Sequence, residues 1–280
     1  MKYLIFGNKG QLGKEFTRLL VNRGEDVLGF DSDEADITNF FKVYEKCREF
    51  RPDFILNCAA YNQVDLAEKD YHQAYDINAH GVKNIGLAAD HLKIKTVHFS
   101  TDYVFDGEKG SLYIETDNPN PLNEYGKSKL AGEKLLSGIN DYNLIFRLSW
   151  VYGAGEQNFI HKLMNWSKKN KVLKIVEDEL SVPTFTKTIA EISLKALDNE
   201  LSGLFHLTST GYASRYDWAK EIAKLLDLEN SIEKAKISDF DLPAIRPAKS
   251  AMDNKKLIQA LGIDIPDWRD DLRDYIKRIS

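Results

Sequence analysis

The chain has 280 residues, of which 43% are hydrophobic and 29% charged, and its net charge is −5. This length and balance suit one large domain or two closely joined ones with a substantial core, and they argue against disorder. No block of Lys or Arg stands out, so neither nucleic acid nor a membrane surface is expected as a partner.

The first apolar run, Met1-Lys2-Tyr3-Leu4-Ile5-Phe6, meets a glycine at once and is too short for a signal peptide or a transmembrane helix. Cys47 lies in a helical pattern and Cys58 in a strand-like run, and the pair fits neither a disulfide framework nor a metal site. None of the six histidines pairs at metal-ligand spacing; His98 reads as a satisfied or solvated packing residue. The expected setting is the reducing cytoplasm, with no metal bound.

Short apolar runs recur at Tyr3–Phe6, Val27–Phe30, Phe54–Cys58, Thr96–Ser100 and Leu144–Leu148. Near-continuous runs of this length suit strands buried on both faces of a parallel sheet. Helix-like stretches lie between them at about Leu12–Asn22, Thr38–Phe50, Val64–Leu92 (interrupted near Asp76) and Glu124–Ser137. The alternation predicts an α/β fold with a doubly wound parallel sheet. After Trp150 the pattern loosens into a helix near Phe159–Lys168, a strand near Leu173–Val176, the turn-like Ser181-Val182-Pro183-Thr184 and a helix through Thr186–Leu197. A strand at Leu204–Leu207 reads as a late addition to the main sheet. Residues 1–150, with about 186–210 returning to them, are therefore expected to form the main domain; 151–185 and 211–280 form a smaller, interleaved substrate-side lobe. The acidic stretch Asp267–Asp274 reads as a solvated helix face.

Gly7-Asn8-Lys9-Gly10-Gln11-Leu12-Gly13 follows the first strand and opens the first helix. Glycine permits a tight turn and a close backbone approach to a pyrophosphate, and the helix amides then face the phosphates. The spacing is G-x-x-G-x-x-G, and its place between strand and helix points to a dinucleotide, hence an NAD(P)-binding Rossmann fold. Asp31 ends the second strand, 18 residues after Gly13. A carboxylate there accepts from an adenosine ribose 2′-hydroxyl and repels a 2′-phosphate. No Arg or Lys lies between Asp26 and Asn39, so NADH is favoured over NADPH. Asp36, before Ile37, stands where a carboxylate can reach the adenine amino group. Ala59 and Ala60, before Tyr61 at the end of the third strand, leave room for a ribose.

Tyr125-Gly126-Lys127-Ser128-Lys129 places a phenol and an ammonium four residues apart, on one helix face with Cβ atoms about 5–6 Å apart. A phenol with a pKa of about 10 is a poor acid–base partner at neutral pH. A nearby cation lowers that pKa, and lowering it by about 3 pH units takes about 4 kcal/mol. Tyr125 then serves as a proton donor that also runs in reverse as a base, while Lys127 points to another face and is solvated. The fourth strand leads into Ser100-Thr101-Asp102-Tyr103 at its carboxyl end, where open α/β sheets bind ligands. A hydroxyl at Thr101 can hold a carbonyl oxygen beside the phenol.

With these strings in place the chain resembles an extended short-chain dehydrogenase/reductase and, within that superfamily, the dTDP-4-dehydrorhamnose reductase family. The resemblance rests on the glycine turn with Gln11-Leu12-Gly13, on Asn57-Cys58-Ala59-Ala60, on Val64-Asp65 with Ala67-Glu68, and on Ser100-Thr101-Asp102-Tyr103-Val104-Phe105-Asp106-Gly107. It continues through Asn120-Pro121 before Tyr125-Gly126, Ser149-Trp150-Val151-Tyr152-Gly153, Val182-Pro183-Thr184, Gly203 to His206, and Arg246-Pro247 with Ser250, nearly the whole chain. It implies that Thr101, Tyr125 and Lys129 are catalytic and that Asp102, the adjoining Tyr103 and Trp150 touch the sugar nucleotide. It implies that Gly10, Gln11, Leu12, Asp31, Asp36, Ile37, Ala59, Ala60 and Phe99 line the cofactor, beside Tyr125 and Lys129. Two departures stand out: Asp178-Glu179-Leu180-Ser181 replaces the family's usual Asp-Gln-x-Gly, and Leu148 stands where Thr is common.

The implied partner is a dTDP-linked 4-keto-6-deoxyhexose, reduced with NADH or NADPH from dTDP-4-dehydro-6-deoxy-L-mannose to dTDP-L-rhamnose. A homodimer is left open, as are an epimerase or dehydratase of the same superfamily and a non-catalytic NAD(P)-binding regulatory subunit. A dehydratase favours an acidic pair after the strand-end Thr, and here Tyr103 follows Asp102.

Overall fold

The protein is described from a computed structural model, which covers residues 1–279. The chain runs β1 (Lys2–Phe6), α1 (Gln11–Asn22), β2 (Asp26–Phe30), α2 (Phe40–Phe50), β3 (Phe54–Asn57), α3 (Val64–Ala67) and α4 (Tyr71–Tyr75). A π-helical turn, Asp76–Gly81, then leads into α5 (Val82–Leu92), β4 (Lys95–Thr101), a 3₁₀ turn at Asp102–Val104, α6 (Glu124–Ser137) and β5 (Leu144–Leu148). The remainder holds β6 (Val151–Tyr152), α7 (Phe159–Ser167), β7 (Val172–Val176), β8 (Leu180–Ser181), β9 (Thr184–Phe185), α8 (Thr186–Asp198), β10 (Gly203–His206), β11 (Ala213–Ser214), α9 (Arg215–Leu225), β12 (Ser231–Ala235), α10 (Lys255–Leu261) and α11 (Trp268–Ile279).

Six strands form one sheet in the order β10-β5-β4-β3-β1-β2, and every neighbouring pair is parallel. This is the doubly wound α/β sheet that the apolar runs predicted. From β1 the chain moves to β2 on one side and then to β3 on the other, so a crevice opens between the carboxyl ends of β1 and β3. One apolar core lies between the sheet and α1 and α8, with Phe16, Phe99, Phe146 and Ile189 buried in it. A second fills the other face with Leu4, Ile55, Ile85 and Ala89. The C-terminal part has its own aromatic core around Trp218, Trp268, Tyr152 and Phe185. Leu257 and Leu261 of α10 pack into the first core, so the chain crosses back to the sheet after β12.

The helical stretch breaks at 68–70, between α3 and α4, rather than near Asp76, where the helix runs on and widens into the π-helical turn. The two-residue strands β6, β8, β9 and β11 lie in the loosened region, and the turn-like 181–184 proves to be flanked by two of them. Asp271 corrects the reading of 267–274 as a solvated face. It is buried and accepts from Thr188 Oγ1 at 2.8 Å and Ser209 Oγ at 2.6 Å. His98 is wholly buried, with Nδ1 at 3.1 Å from Asn57 Nδ2 and Nε2 without a partner.

Helix α6 is tied to the sheet by a buried ion pair. Arg147 of β5 reaches Glu133 with Nε at 3.0 Å and Nη2 at 2.7 Å, and the two side chains are 3% and 6% exposed. Removing one member of such a pair strands a charge in a low-dielectric setting. Glu133→Gln is therefore expected to cost about 3–5 kcal/mol of stability, read as a lowered urea midpoint at unchanged slope. A loss below about 1 kcal/mol, the scale of exposed pairs, would mean that Arg147 finds water.

Candidate active site

The carboxyl ends of the central strands open into a cavity of about 970 Å³. At one end lies the start of α1, where Gly10, Gln11 and Leu12 face the cavity. Gly10 is the N-cap; no side chain caps the helix and no acidic residue occupies its first turn. The first-turn N–H groups and the positive dipole end are thus free for an anion. Gly7 and Gly13 do not line the cavity; they shape the turn. A Cβ on Gly7 (φ +78°) would stand 2.6 Å from the Ala59 nitrogen, and one on Gly13 would stand 2.3 Å from the Gly7 carbonyl oxygen.

Ala59 and Ala60 line the wall beside the turn, with Phe99, Thr101, Asp102 and Tyr103 from the end of β4, Tyr125 and Lys129 from α6, and Trp150 after β5. Besides Gly7 and Gly13, four more of the expected residues stand outside this lining. Ile37 is buried in the apolar core, and Tyr61 is buried against Ala67 and Ala74. Asp36 turns its carboxylate to Thr38, accepting from its N–H at 2.9 Å and its hydroxyl at 2.8 Å. Asp31 follows β2 beside the glycine turn, whose Gly7 N–H donates to the Phe30 carbonyl at 2.8 Å. A cation does reach this corner, from the glycine turn rather than from 26–39. Lys9 Nζ lies 2.8 Å from Asp33 and 4.0 Å from Glu34, with Asp31 near enough to act on its charge. Three carboxylates face one ammonium.

Tyr125 opens α6, whose N-cap Asn123 accepts from the Gly126 N–H at 2.8 Å. Burial pushes the pKa of the Tyr125 phenol up to about 12, against the downward pull of the nearby Thr101 hydroxyl. Lys129 does not turn its ammonium to the phenol in the expected way: Nζ donates to the Phe99 carbonyl at 2.6 Å. Burial lowers its pKa to about 8, with Glu133 pulling it back up. The expectation of a phenol made acidic by its neighbouring cation is thus corrected: burial raises the pKa, and the charge that acts on the phenol is that of Asp102, which raises it further. Lys127 pairs with Glu124 at 2.8 Å and is exposed, as expected.

Asp102 is 2% exposed and accepts from Ser250 Oγ at 2.5 Å, Ser181 Oγ at 2.7 Å and Thr101 Oγ1 at 3.2 Å. Burial lifts its pKa to about 6, with the three hydroxyls opposing. Trp150 is both core and wall. Its backbone sits in the left-handed region at φ 38°, a conformation that costs a side-chain-bearing residue of order 1 kcal/mol. Its ring stacks with Trp218 at 5.7 Å, and the Arg215 guanidinium lies 3.6 Å from the ring centroid. Ser100 Oγ and Trp150 Nε1 are buried without a hydrogen-bond partner, and both residues line the cavity. Such orphaned polar atoms fit a polar ligand.

Sequence reasoning did not assign Lys162, Arg215 or Arg246 to the site, although all three line the cavity. They are isolated in sequence, and only the fold brings them to one wall. Asn78 was also missed. Buried in the π-helical turn, it accepts from the Tyr61 N–H at 2.9 Å and donates to the Tyr61 carbonyl at 2.9 Å and to Ser128 Oγ at 3.0 Å. It fixes the loop after β3 against α6.

The family model described as RmlD substrate binding domain matches residues 1–280. The chain is 36% identical to a dTDP-4-dehydrorhamnose reductase of Aggregatibacter actinomycetemcomitans, over 98% of this chain and 97% of that one. A crystal structure of a dTDP-4-dehydrorhamnose reductase from Clostridium acetobutylicum superposes with a TM-score of 0.97 at 38% identity, covering 100% of this chain and 99% of that one. One from Bacillus anthracis, in complex with NADP, gives 0.96 at 33% identity and 99% coverage of both.

Gly126 sets how near α6 comes to the end of β4, since a Cβ there would stand 2.2 Å from the Tyr103 carbonyl oxygen. Gly126→Ala is expected to push the two apart at a cost of about 1–3 kcal/mol, measured as a lowered unfolding midpoint. An unchanged midpoint would show that the helix end yields freely.

Proposed function

The chain belongs to the dTDP-4-dehydrorhamnose reductase family, and from that premise we propose that it reduces the 4-keto group of a dTDP-linked 4-keto-6-deoxyhexose, turning dTDP-4-dehydro-6-deoxy-L-mannose into dTDP-L-rhamnose. The observation that carries this reading is the convergence of Thr101, Tyr125 and Lys129 on one cavity, with an uncapped helix start at one end and Trp150, Arg215 and Arg246 at the other.

NAD(P)H, its pyrophosphate held at the glycine turn, would supply the hydride for the sugar carbonyl carbon. Tyr125, whose raised pKa keeps the phenol protonated at neutral pH, gives its proton to the carbonyl oxygen. Thr101 stands beside the phenol, and its hydroxyl turns to that oxygen by giving up only a long 3.2 Å bond to Asp102. Lys129 is anchored by the Phe99 carbonyl at 2.6 Å and keeps two N–H donors for the ribose. Arg215, Arg246 and Lys162 offer the carrier's diphosphate a cationic seat, and Trp150 offers a flat apolar face to the sugar or base. Cys47 and Cys58 are unpaired, which suits the reducing cytoplasm where we place the protein. No helix among the described residues is long and apolar enough to cross a membrane.

Tyr125→Phe is expected to lose about 10²–10⁴-fold in turnover with little change in NADH binding; unchanged turnover would remove Tyr125 from the mechanism. The charged form of Lys129 is lost as pH rises through about 8, whereas Tyr125 keeps its proton to about 12. The kcat/KM for NADH, which reports the free enzyme, should therefore fall as pH rises past about 8. Lys129→Arg should move that fall to higher pH. A fall that stays in place would assign it to another group.

We further propose that NADH is the preferred cofactor. Lys9 is already engaged by Asp33 and Glu34, so the carboxylate of Asp31 is left to meet a 2′-phosphate. Fluorescence titration should give weaker NADPH than NADH binding, and Asp31→Ser should narrow the gap. Equal constants in the unaltered protein would show that Asp31 does not face the ribose.

A further inference from the structure

An ion pair at the mouth of the cavity has no part in the proton and hydride transfers. Arg246 lines the cavity and donates from Nη2 to Asp65 Oδ2 at 2.7 Å and from Nη1 to the Ala244 carbonyl at 2.8 Å. The Ala244 N–H donates to the other carboxylate oxygen, Asp65 Oδ1, at 3.3 Å. Asp65 lies on α3 and also lines the cavity, 181 residues from Arg246 in sequence. A planar guanidinium held by both terminal nitrogens has one direction left to point.

The surroundings hold this geometry firmly. The Arg246 side chain is only 14% exposed, so it is neither free to wander nor well solvated. Glu68, also next to α3, accepts from the Glu124 N–H at 2.8 Å, at the start of the Tyr125 helix. Asn123, the N-cap of that helix, donates to the Ile245 carbonyl at 2.8 Å. Thus α3, the start of α6 and the 244–246 loop meet at one junction beside the phenol. An exposed ion pair is commonly worth little; here the pair orients a cavity-lining cation and joins two distant parts of the chain.

We propose that Asp65 is a positioning residue for the sugar nucleotide: it aims the Arg246 guanidinium into the cavity and ties the 244–246 loop to α3 across the mouth. The proposal rests on the reading of Arg246 as part of the diphosphate seat. Once that arginine is aimed, the carrier binds without first having to order it.

The test uses the intact chain with dTDP as the probe, titrated by calorimetry, and steady-state kinetics with the 4-keto sugar nucleotide. Asp65→Asn keeps the shape and removes the charge. It is expected to weaken dTDP binding about tenfold, the scale of a lost charged hydrogen bond, and to raise KM more than it lowers kcat, with NADH binding unchanged. Asp65→Glu should restore most of the loss. Arg246→Ala should weaken dTDP at least as much, and the double variant no more than Arg246→Ala alone, because Asp65 acts through Arg246. If Arg246→Ala weakens dTDP but Asp65→Asn does not, or if the two effects multiply, the positioning role is overturned and the diphosphate seat stands. If Arg246→Ala leaves dTDP binding unchanged, the seat itself is misplaced and the proposal goes with it. Should Asp65→Asn lose its fold, Arg246→Lys decides: one ammonium cannot hold Asp65 and the Ala244 carbonyl in a planar fork, so dTDP should again weaken, and unchanged binding overturns the proposal.

Discussion

Helix α6 passes two stretches of backbone more closely than a residue with a side chain could. A Cβ at Gly126 would stand 2.2 Å from the carbonyl oxygen of Tyr103, and one at Gly132 would stand 2.1 Å from that of Asn78. Between the two contacts Ser128 donates to the Tyr125 carbonyl at 2.8 Å and receives the Asn78 amide at 3.0 Å. Two glycines in a 14-residue helix cost it about 1 kcal/mol each relative to alanine. What they permit is the seating of Tyr125 against the end of β4 and of Lys129 against the Phe99 carbonyl. The Arg147–Glu133 pair holds the far half of the same helix to β5. The placement of the reacting side chains is therefore a consequence of backbone approach, and the loops around the site adapt to it.

Burial then decides which protons are held. In the sequence, the four-residue spacing of Tyr125 and Lys129 argues for a cation that acidifies a phenol. In the structure the ammonium is committed to a backbone carbonyl, and desolvation moves the phenol up to about 12 and the ammonium down to about 8. Both shifts have the same origin, since each charged form loses water. For a reduction the neutral phenol is the useful form, because the carbonyl oxygen needs a proton rather than a base.

How much of this was legible follows from the range of each interaction. The buried strands could be read because each carries its own apolar run, whereas the interruption expected near Asp76 falls a few residues earlier, at 68–70. The glycine turn, Thr101, Tyr125 and Lys129 were local strings. The two-residue strands were not legible, since pairing that short leaves no period to detect. Asp271 looked solvated because its partners, Thr188 and Ser209, lie 83 and 62 residues away. Lys9 escaped notice as a neighbour of the acidic turn because it arrives from another loop. Arg215 and Arg246 reach the cavity only through the folding of the C-terminal part.

Two changes within the first departure, at 179 and 181, acquire a physical meaning once their neighbours are known. Ser181, standing where glycine is usual, donates to Asp102 at 2.7 Å. Glycine would leave that buried carboxylate one donor short. Glu179, standing where glutamine is usual, accepts from the Tyr103 hydroxyl at 3.3 Å and lies 3.5 Å from Arg215 Nε. A glutamine could accept from the tyrosine but could not form the ion pair. The charge of Glu179 has two effects at the wall of the cavity. It holds the guanidinium that stacks on Trp150, and it raises the pKa of the nearby Asp102. The added Ser181 hydroxyl acts in the opposite sense on Asp102. The two changes thus act in opposite senses on the carboxyl next to Thr101.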